Sequence, residues 1–282
     1  MSDNGLNRAT TRIVALALAE DLGDEGDITS RALFGPEAGG AARVIVKEPC
    51  IISGVGAAEE VCRQVDPALA CLPLVMDSQA VPAGSEAIHI EGGLLSILAA
   101  ERTLLNFLSR LSGVATEAAR YAGKLEGTSC RLAATRKTSP GLRLLEKKAV
   151  ADGGGIPHRS GLFDAVLIKD NHIVAAGGAG AAVEAARSAR GTSVEIEVEV
   201  DSAAQLQEAL EAGATQVLLD NMAPDEVRAC VELATGRAVV EASGGIGLEN
   251  IRDYAEAGVD IISVGAITRN AAGIDFSLEV EQ

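Results

Sequence analysis

Two stretches of the sequence carry the same pattern of a helix end followed by a strand. Residues 211–221 read E-A-G-A-T-Q-V-L-L-D-N, and residues 256–266 read E-A-G-V-D-I-I-S-V-G-A. Glycine favours the left-handed conformation that ends a helix, and a short apolar run after it is typical of a buried strand. Both stretches therefore predict a helix, a glycine turn and a strand with a polar or glycine-containing end.

Apolar runs of this kind recur through the second half of the chain. From the third run onward their centres are roughly 22 residues apart, with a helical stretch between each pair. Such units predict parallel strands, because each helix has to cross back over the sheet, and six of them favour an α/β barrel over an open sheet. The runs lie at residues 130–134, 164–168, 194–200, 216–219, 238–242 and 261–264.

The first hundred or so residues predict a different, mixed arrangement of helices and short strands. Helical spacing continues through residues 94–111 and 114–125, and the pair Ser112-Gly113 between them predicts a break. We therefore expect a first domain of residues 1–113 and a barrel domain of residues 114–282. This division leaves room for the last residues to pack back on the first domain.

Composition excludes several classes of protein. The 24 Lys and Arg against 40 Asp and Glu give a net charge of −16, which argues against a nucleic-acid-binding chain. The five cysteines form no C-x-x-C pair and predict free thiols in a reducing compartment. The longest apolar helix candidate holds three charges, and the amino terminus lacks the pattern of a signal peptide. We expect a cytoplasmic protein that does not enter a membrane.

One segment reverses the overall charge and predicts a site for a small polyanion. From Arg102 to His172 the chain has 12 of its 24 basic residues and only 6 of its 40 acidic ones. Arg136, Lys137, His158 and Arg159 are cations beside glycines or at the ends of apolar runs, where they can hold an anionic group.

The ends of the apolar runs predict the remaining parts of the site, because sites in α/β barrels assemble at the carboxyl ends of the strands. Ser243-Gly244-Gly245 and Val264-Gly265-Ala266 expose backbone N–H groups that suit a phosphate. Glu199 and Asp220 end neighbouring runs and suit Mg²⁺ or sugar hydroxyls. Lys169 ends another run and is a snorkelling surface residue, a site cation or an amine nucleophile.

The combination of these motifs closely resembles the nicotinate-nucleotide pyrophosphorylases (carboxylating), also called quinolinate phosphoribosyltransferases. The likeness spans nearly the whole chain. It rests on Glu20-Asp21-Leu22-Gly23, Gly26-Asp27-Ile28-Thr29, Thr135-Arg136-Lys137-Thr138, Pro140-Gly141-Leu142-Arg143, Gly153-Gly154-Gly155, His158-Arg159, Gly161-Leu162, Leu167-Ile168-Lys169-Asp170-Asn171-His172, Glu197-Val198-Glu199-Val200, Leu219-Asp220-Asn221-Met222, Glu241-Ala242-Ser243-Gly244-Gly245 and Ser263-Val264-Gly265-Ala266.

The resemblance implies a fold and an activity. The fold is an N-terminal open-faced α/β sandwich followed by an incomplete α/β (TIM-like) barrel, in a homodimer with shared active sites. The activity is transfer of phosphoribosyl from 5-phosphoribosyl-1-diphosphate (PRPP) to quinolinate with Mg²⁺, which gives nicotinate mononucleotide, CO₂ and diphosphate.

The resemblance also implies roles for individual residues. Arg136, His158, Arg159 and Lys169 would surround the quinolinate carboxylates, with Thr135 in the same motif and Lys137 near the diphosphate. Glu199 and Asp220 would hold ribose hydroxyls and Mg²⁺, directly or through water. The 5-phosphate would lie on Ser243, Gly244, Gly245, Val264, Gly265 and Ala266, and Arg102 would reach the site of the partner subunit.

Two departures and two alternatives remain open. The family often has Asp where this chain has Ala134 and Asn where it has Pro157; both changes concern loop geometry, since neither removes a charged ligand. One alternative is a barrel aldolase or lyase with Lys169 as the Schiff-base former. The other is a phosphate-ligand sensor on the same fold that binds without turnover.

Overall fold

The computed structural model describes residues 3–191 and 194–281. The helices are α1 (Asp3–Leu22), α2 (Ile28–Leu33), α3 (Val55–Val65), α4 (Leu94–Lys124), α5 (Arg143–Asp152), α6 (Asp170–Ala176), α7 (Ala179–Arg190), α8 (Ala203–Glu211), α9 (Pro224–Ala234), α10 (Ile251–Glu256) and α11 (Ala266–Arg269). The strands are β1 (Gly39–Val46), β2 (Cys50–Ile51), β3 (Ala70–Pro73), β4 (Ala80–Val81), β5 (Glu86–Gly93), β6 (Arg131–Ala133), β7 (Val166–Ile168), β8 (Ile196–Val200), β9 (Gln216–Asp220), β10 (Val239–Ser243), β11 (Ile261–Ser263) and β12 (Phe276–Val280).

The chain folds into two compact units, the first of which combines three stretches of sequence. It contains the chain up to Ala119, the segment Thr138–Gly154 and everything from Thr268 onward. Its main sheet has the order β12-β1-β5-β3 and is antiparallel, because β1 pairs with both β12 and β5. The antiparallel sheet and the helices of this unit confirm the predicted sandwich, and the last strand of the chain joins its edge.

The second unit, Arg120–Lys137 and Gly155–Ile267, is built on a six-stranded sheet. The strand order is β6-β11-β10-β9-β8-β7, and every neighbouring pair is parallel. Ile156 adds a parallel bridge to Ala133 at the outer edge of β6. Among the described residues no pairing joins β7 to that edge, so the sheet confirms an incomplete α/β barrel.

Helix α4 corrects the predicted break at Ser112-Gly113. It runs without interruption from Leu94 to Lys124, so the expected helices at 94–111 and 114–125 are one helix. A Cβ atom on Gly113 would lie 2.0 Å from the carbonyl oxygen of Ala272. Glycine is therefore needed at this position for a close approach of two backbones rather than for a helix end. The division at residue 113 stays a prediction, and residue 113 lies inside α4.

The core is aliphatic, as the scarcity of aromatic residues predicts. Fully buried side chains include Ile88 and Ile90 in the first unit and Leu219 and Ile262 in the second. All five cysteines are free, and all except Cys71 are buried. Within the described chain, no helix has both the length and the apolar character needed to cross a membrane.

Candidate active site

The parallel register brings the acidic residues of three strands to one face of the second sheet. In the strand register, Glu199 and Glu241 both pair with Leu218. Ser243 pairs with Asp220, two residues further toward the carboxyl ends of the strands. Alternate residues of a strand share a face, so these side chains project to the same side of the sheet. The prediction that Glu199 and Asp220 end neighbouring strands is confirmed.

Lys169 and Glu199 form an ion pair at this edge. Lys169 follows β7 directly, and its Nζ lies 2.6 Å from Oε2 of Glu199. His172 Nδ1 accepts a hydrogen bond of 2.9 Å from the backbone N–H of Lys169, which fixes the start of α6. The Glu199 carboxylate balances the charge of a cation in the site, whereas a Schiff-base lysine attacks as a neutral amine. This arrangement favours a site cation over the aldolase alternative.

Asp220 lies beside a tight backbone crossing between β9 and β10. Asn221 has a left-handed φ of 56°, and its Nδ2 donates to Oδ2 of Asp220 at 2.6 Å. The Asn221 N–H also donates to the carbonyl of Ser243 at 2.9 Å. Gly244 has a φ of 90°, and a Cβ there would lie 2.3 Å from Oδ1 of Asn221. Gly244, which the sequence predicts to bind phosphate, therefore also has to be glycine to leave room for the Asn221 side chain.

Asn250 holds the glycine loop that follows β10. Its Oδ1 accepts from the N–H of Gly247 at 2.8 Å, and its Nδ2 donates to the carbonyl of Gly245 at 3.2 Å. Helix α10 begins at Ile251, because residues 248–250 form turns. A loop of residues 244–250 therefore lies between β10 and α10, and Ser243 Oγ donates to the carbonyl of Ser263 at 3.2 Å.

Lys137 lies against the second glycine loop, after β11. A Cβ on Gly265 would lie 2.8 Å from Cδ of Lys137, so the absence of a side chain at Gly265 makes room for the lysine stem. Thr135 Oγ1 accepts from the N–H of Lys137 at 3.0 Å and shapes the turn after β6. The structure thus brings Thr135 and Lys137 together with the loop Val264, Gly265 and Ala266.

His158 lies in the interior of the second unit, against two buried glutamates. Its Nε2 is 3.1 Å from Oε2 of Glu241 and 3.5 Å from Oε2 of Glu197. Burial lowers the pKa of His158, but the hydrogen bonds and charges of Glu197 and Glu241 outweigh it and raise the pKa to about 9. Burial raises the pKa of Glu197 above its ordinary value, against the opposing effect of His158.

Arg159 continues this cationic group. Its pKa is lowered, first by burial and then by the charge of Arg136, so the two guanidinium groups are close enough to repel each other. A cavity of about 330 Å³ adjoins Arg159 at the amino ends of the strands, with His158, Glu197 and Glu241 in its wall, so it opens at the opposite end of the sheet from Lys169 and Asp220. Half-buried like charges such as those of Arg136 and Arg159 are stabilised when an anion binds between them.

Asp164 holds the loop that carries these residues. It accepts from the N–H groups of Ser160 and Gly161 at 2.6 Å and 3.0 Å. Burial raises the pKa of Asp164, but these backbone hydrogen bonds outweigh it and the net pKa is lowered. The carboxylate is therefore charged at neutral pH and fixes the turn after Arg159.

The remaining predicted residue, Arg102, lies in the first unit. It is on α4, and its side chain is exposed. The sequence reasoning did not assign roles to Glu197, Glu241 and Asn250. The sequence did contain a signal for the two glutamates. Residues two positions apart in a strand share a face, so Glu197 had to lie on the face of Glu199, and Glu241 on the face of Ser243.

Two family models match the two parts of the chain. The model of the quinolinate phosphoribosyl transferase N-terminal domain matches residues 27–112, and that of the C-terminal domain matches residues 114–279. A probable nicotinate-nucleotide pyrophosphorylase [carboxylating] of Bacillus subtilis is 39% identical over 261 residues, which cover 93% of this chain and 90% of the relative. A quinolinate phosphoribosyltransferase [decarboxylating] of Nicotiana tabacum is 38% identical over 95% of this chain and 81% of its own length.

Solved structures show the same likeness. A nicotinate-nucleotide pyrophosphorylase from Francisella tularensis is 42% identical, with a TM-score of 0.93 over 98% of this chain and 97% of its own. The corresponding protein from Ehrlichia chaffeensis is 34% identical, with a TM-score of 0.91 over 96% and 98% of the two chains.

Proposed function

Because this chain belongs to the quinolinate phosphoribosyltransferase family, we propose that it transfers phosphoribosyl from PRPP to quinolinate. The products are nicotinate mononucleotide, CO₂ and diphosphate, so the protein is a pentosyltransferase of de novo NAD biosynthesis. The observation that carries the proposal is the convergence of Lys169, Glu199 and Asp220 with two glycine loops at one edge of a parallel sheet.

The two glycine loops suit the 5-phosphate of PRPP. Gly244 and Gly245 both have positive φ, which turns backbone N–H groups outward after β10. Gly265 lies between β11 and α11 and adds a second close approach of the backbone. Backbone amides at such turns bind phosphate without any charged side chain, and Lys137 beside Gly265 adds a positive charge toward the diphosphate.

The cations around Arg159 suit an acceptor with two carboxylates. The charge of Arg136 lowers the pKa of Arg159, after the larger effect of burial, and Lys169 supplies a third positive charge. A guanidinium group binds a carboxylate in a bidentate geometry. Quinolinate places two carboxylates on adjacent ring carbons and so offsets this charge.

Glu199 and Asp220 fit a Mg²⁺ ion that PRPP brings. Both offer carboxylate oxygens, the ligands that Mg²⁺ prefers, and they end adjacent strands. The Lys169 ammonium pairs with one oxygen of Glu199, so the metal would be held with substrate oxygens rather than in an all-protein cage. When bound, Mg²⁺ offsets the negative charge that develops on the leaving diphosphate.

The proposed reaction requires that the two substrates are held in the correct orientation, and it does not require a strong base. The pyridine nitrogen of quinolinate is itself the nucleophile, and departure of diphosphate leaves positive charge on the ribose. Glu199 and Asp220 offer carboxylate oxygens that suit the ribose hydroxyls and can stabilise that charge. After transfer the pyridinium ring is cationic, and it draws electrons from the bond to the departing CO₂.

The proposal includes a homodimer in the cytoplasm, in which Arg102 reaches the neighbouring site. Arg102 is exposed on α4 and is followed directly by the buried residues Thr103, Leu104 and Leu105. An exposed arginine on this helix can contact a second chain and pair with an anionic group there. Quinolinate and PRPP are the only partners this proposal needs, and neither nucleic acid nor membrane enters it.

One assay tests the proposal. The protein is incubated with quinolinate, PRPP and Mg²⁺, and nicotinate mononucleotide and ¹⁴C-labelled CO₂ from carboxyl-labelled quinolinate are measured. Stoichiometric formation of both is expected. Binding of both substrates without product would instead support a sensor, and trapping of a carbonyl substrate on Lys169 by borohydride would support an aldolase.

A further inference from the structure

His158, Glu197 and Glu241 form a buried cluster that none of the steps above uses. Glu241 is 2% exposed and Glu197 is 7% exposed, so neither carboxylate is solvated. Oε1 of Glu241 has no hydrogen-bond partner among the described residues, although it is buried. An unpartnered buried carboxylate oxygen is costly, so a positive charge at His158 would stabilise the cluster.

The hydrogen bonds of the His158 ring define its protonation state in this geometry. The backbone N–H of Arg159 donates to Nδ1 at 2.8 Å, a hydrogen bond that only the neutral ring accepts. The ring proton is therefore on Nε2, which donates to Glu241. The three side chains are close enough to chelate a metal. However, a metal on Nε2 requires that this nitrogen is bare and that Nδ1 carries the proton, which disfavours a metal here.

A second proton on the ring would change what the loop offers to a ligand. Protonated Nδ1 becomes a donor and can no longer accept from the amide of Arg159. The Nδ1–H and the Arg159 N–H are then two neighbouring donors without an acceptor between them. A carboxylate is the acceptor that fits, because its two oxygens accept two hydrogen bonds at once.

We propose that Glu241, assisted by Glu197, is a positioning residue that keeps His158 in its protonated form, so that Nδ1–H is ready to bind a substrate carboxylate. The proton comes from solvent and goes to Nδ1; the carboxylate then accepts from Nδ1–H and from the Arg159 amide, while Nε2–H stays on Glu241. This inference rests on the proposed function, since the carboxylate is one of the two on quinolinate.

The charges around His158 set the sign of the effect. Burial disfavours the imidazolium, and the two carboxylates favour it by more, so the net pKa is raised to about 9. The other charged groups in the cavity wall are Arg131, Arg159, Asp164 and Glu195. Removing the charge of Glu241 lowers the pKa of His158, so the free protein loses the proton at lower pH and has to take it up again on binding.

Calorimetry of quinolinate binding measures this proton directly. Titrations in buffers of different ionisation enthalpy give the number of protons taken up per site, at a series of values between about pH 6 and pH 9.5. For the natural sequence we expect little uptake at the acid end and a rise toward one proton as the pH approaches the pKa of His158. In Glu241→Gln the same rise should occur at least about one pH unit lower.

Three further variants make the result decisive. His158→Asn, which tolerates the left-handed φ of 49° at this position, should abolish the pH-dependent uptake. Glu197→Gln should shift the rise in proton uptake to lower pH, as Glu241→Gln does. If Glu241→Gln does not fold, Glu197→Gln takes its place in the experiment. Glu195→Gln removes an exposed carboxylate from the same cavity and should leave the curve in place.

The possible failures are distinct. If quinolinate binds but both Gln variants at 197 and 241 give the curve of the natural sequence, the positioning role is wrong while the proposed function stands. The same holds if the rise persists unchanged in His158→Asn. If quinolinate does not bind to the natural sequence at all, the proposed function fails and the inference fails with it.

Discussion

Lys137 is the single residue whose charge the proposed reaction needs most directly. Its side chain passes Gly265, and the resemblance to the family places it near the diphosphate. We expect Lys137→Ala to lower kcat by at least about a hundredfold, which corresponds to about 2.7 kcal/mol of transition-state stabilisation. Steady-state kinetics with quinolinate and PRPP measure this loss.

The matched control for that variant is Lys124→Ala, which removes an exposed lysine at the end of α4. It should leave kcat within about twofold, because an exposed charge outside the site contributes little. Near-natural kcat in Lys137→Ala would show that this lysine is outside the active site.

The choice of acceptor is also decided by individual side chains. Nicotinate has one carboxylate, so it offers one anionic group fewer than quinolinate to the cations Arg136, Arg159 and Lys169. A site built for charged hydrogen bonds penalises their absence strongly. We expect kcat/KM for nicotinate to be at least about a thousandfold below that for quinolinate, measured in parallel assays of nucleotide formation. Equal values for the two acids would contradict this assignment of the cations.

At the scale of elements, α4 contains two glycines with opposite roles. A Cβ on Gly113 would lie 2.0 Å from the Ala272 carbonyl, whereas a Cβ on Gly123 would meet no atom within 4 Å. Gly113→Ala should therefore lower stability by at least about 1–3 kcal/mol through overpacking. Gly123→Ala should raise it by up to about 1 kcal/mol, because alanine is the better helix former.

Urea denaturation followed by far-UV circular dichroism compares the two variants with the natural sequence. Each variant serves as the other's control, since the substitution and the helix are the same. If Gly113→Ala were as stable as Gly123→Ala, the close approach of α4 to Ala272 would not exist in solution.

These glycines also show what the sequence could and could not predict about the elements. The spacing of apolar runs predicted parallel strands and the polar residues at their ends, because both depend on local periodicity. The break at Ser112-Gly113 was wrong because the reason for Gly113 is a contact with Ala272, far away in sequence. Asn250 was missed for a different reason: its contacts with Gly245 and Gly247 are local, but they depend on side-chain geometry within a turn, which apolar periodicity does not describe.

At the scale of the whole molecule, one chain alternates between two units. The segment Thr138–Gly154 leaves the parallel-sheet unit and returns to it, and β12 pairs with β1 at the other end of the sequence. Apolar periodicity carries no information about such long-range pairing, and the division at residue 113 stays a prediction. Motifs that carry chemistry were recognisable without information on such pairing, because the residues of each motif are neighbours in the chain.

The shared active site is the claim that belongs to the assembled molecule. Arg102 is in the first unit and Lys137 in the second, so the proposed dimer would complete each site with an arginine from the other chain. We expect Arg102→Ala and Lys137→Ala to be nearly inactive as separate homodimers, because in each case both sites lack one ligand. Activity assays on each purified variant check this first step.

The decisive experiment mixes the two variants by unfolding and refolding them together. In a mixed dimer with Arg102 contributed in trans, one site lacks both ligands and the other is complete. Random pairing makes about half of the dimers mixed, so about a quarter of the natural activity should return. Refolded samples of each variant alone are the control. If the subunits exchange, as shown by differently tagged chains that copurify, and no activity returns, Arg102 acts within its own chain. Activity returns only with a complete site, and only a trans contribution of Arg102 makes a complete site from these two chains.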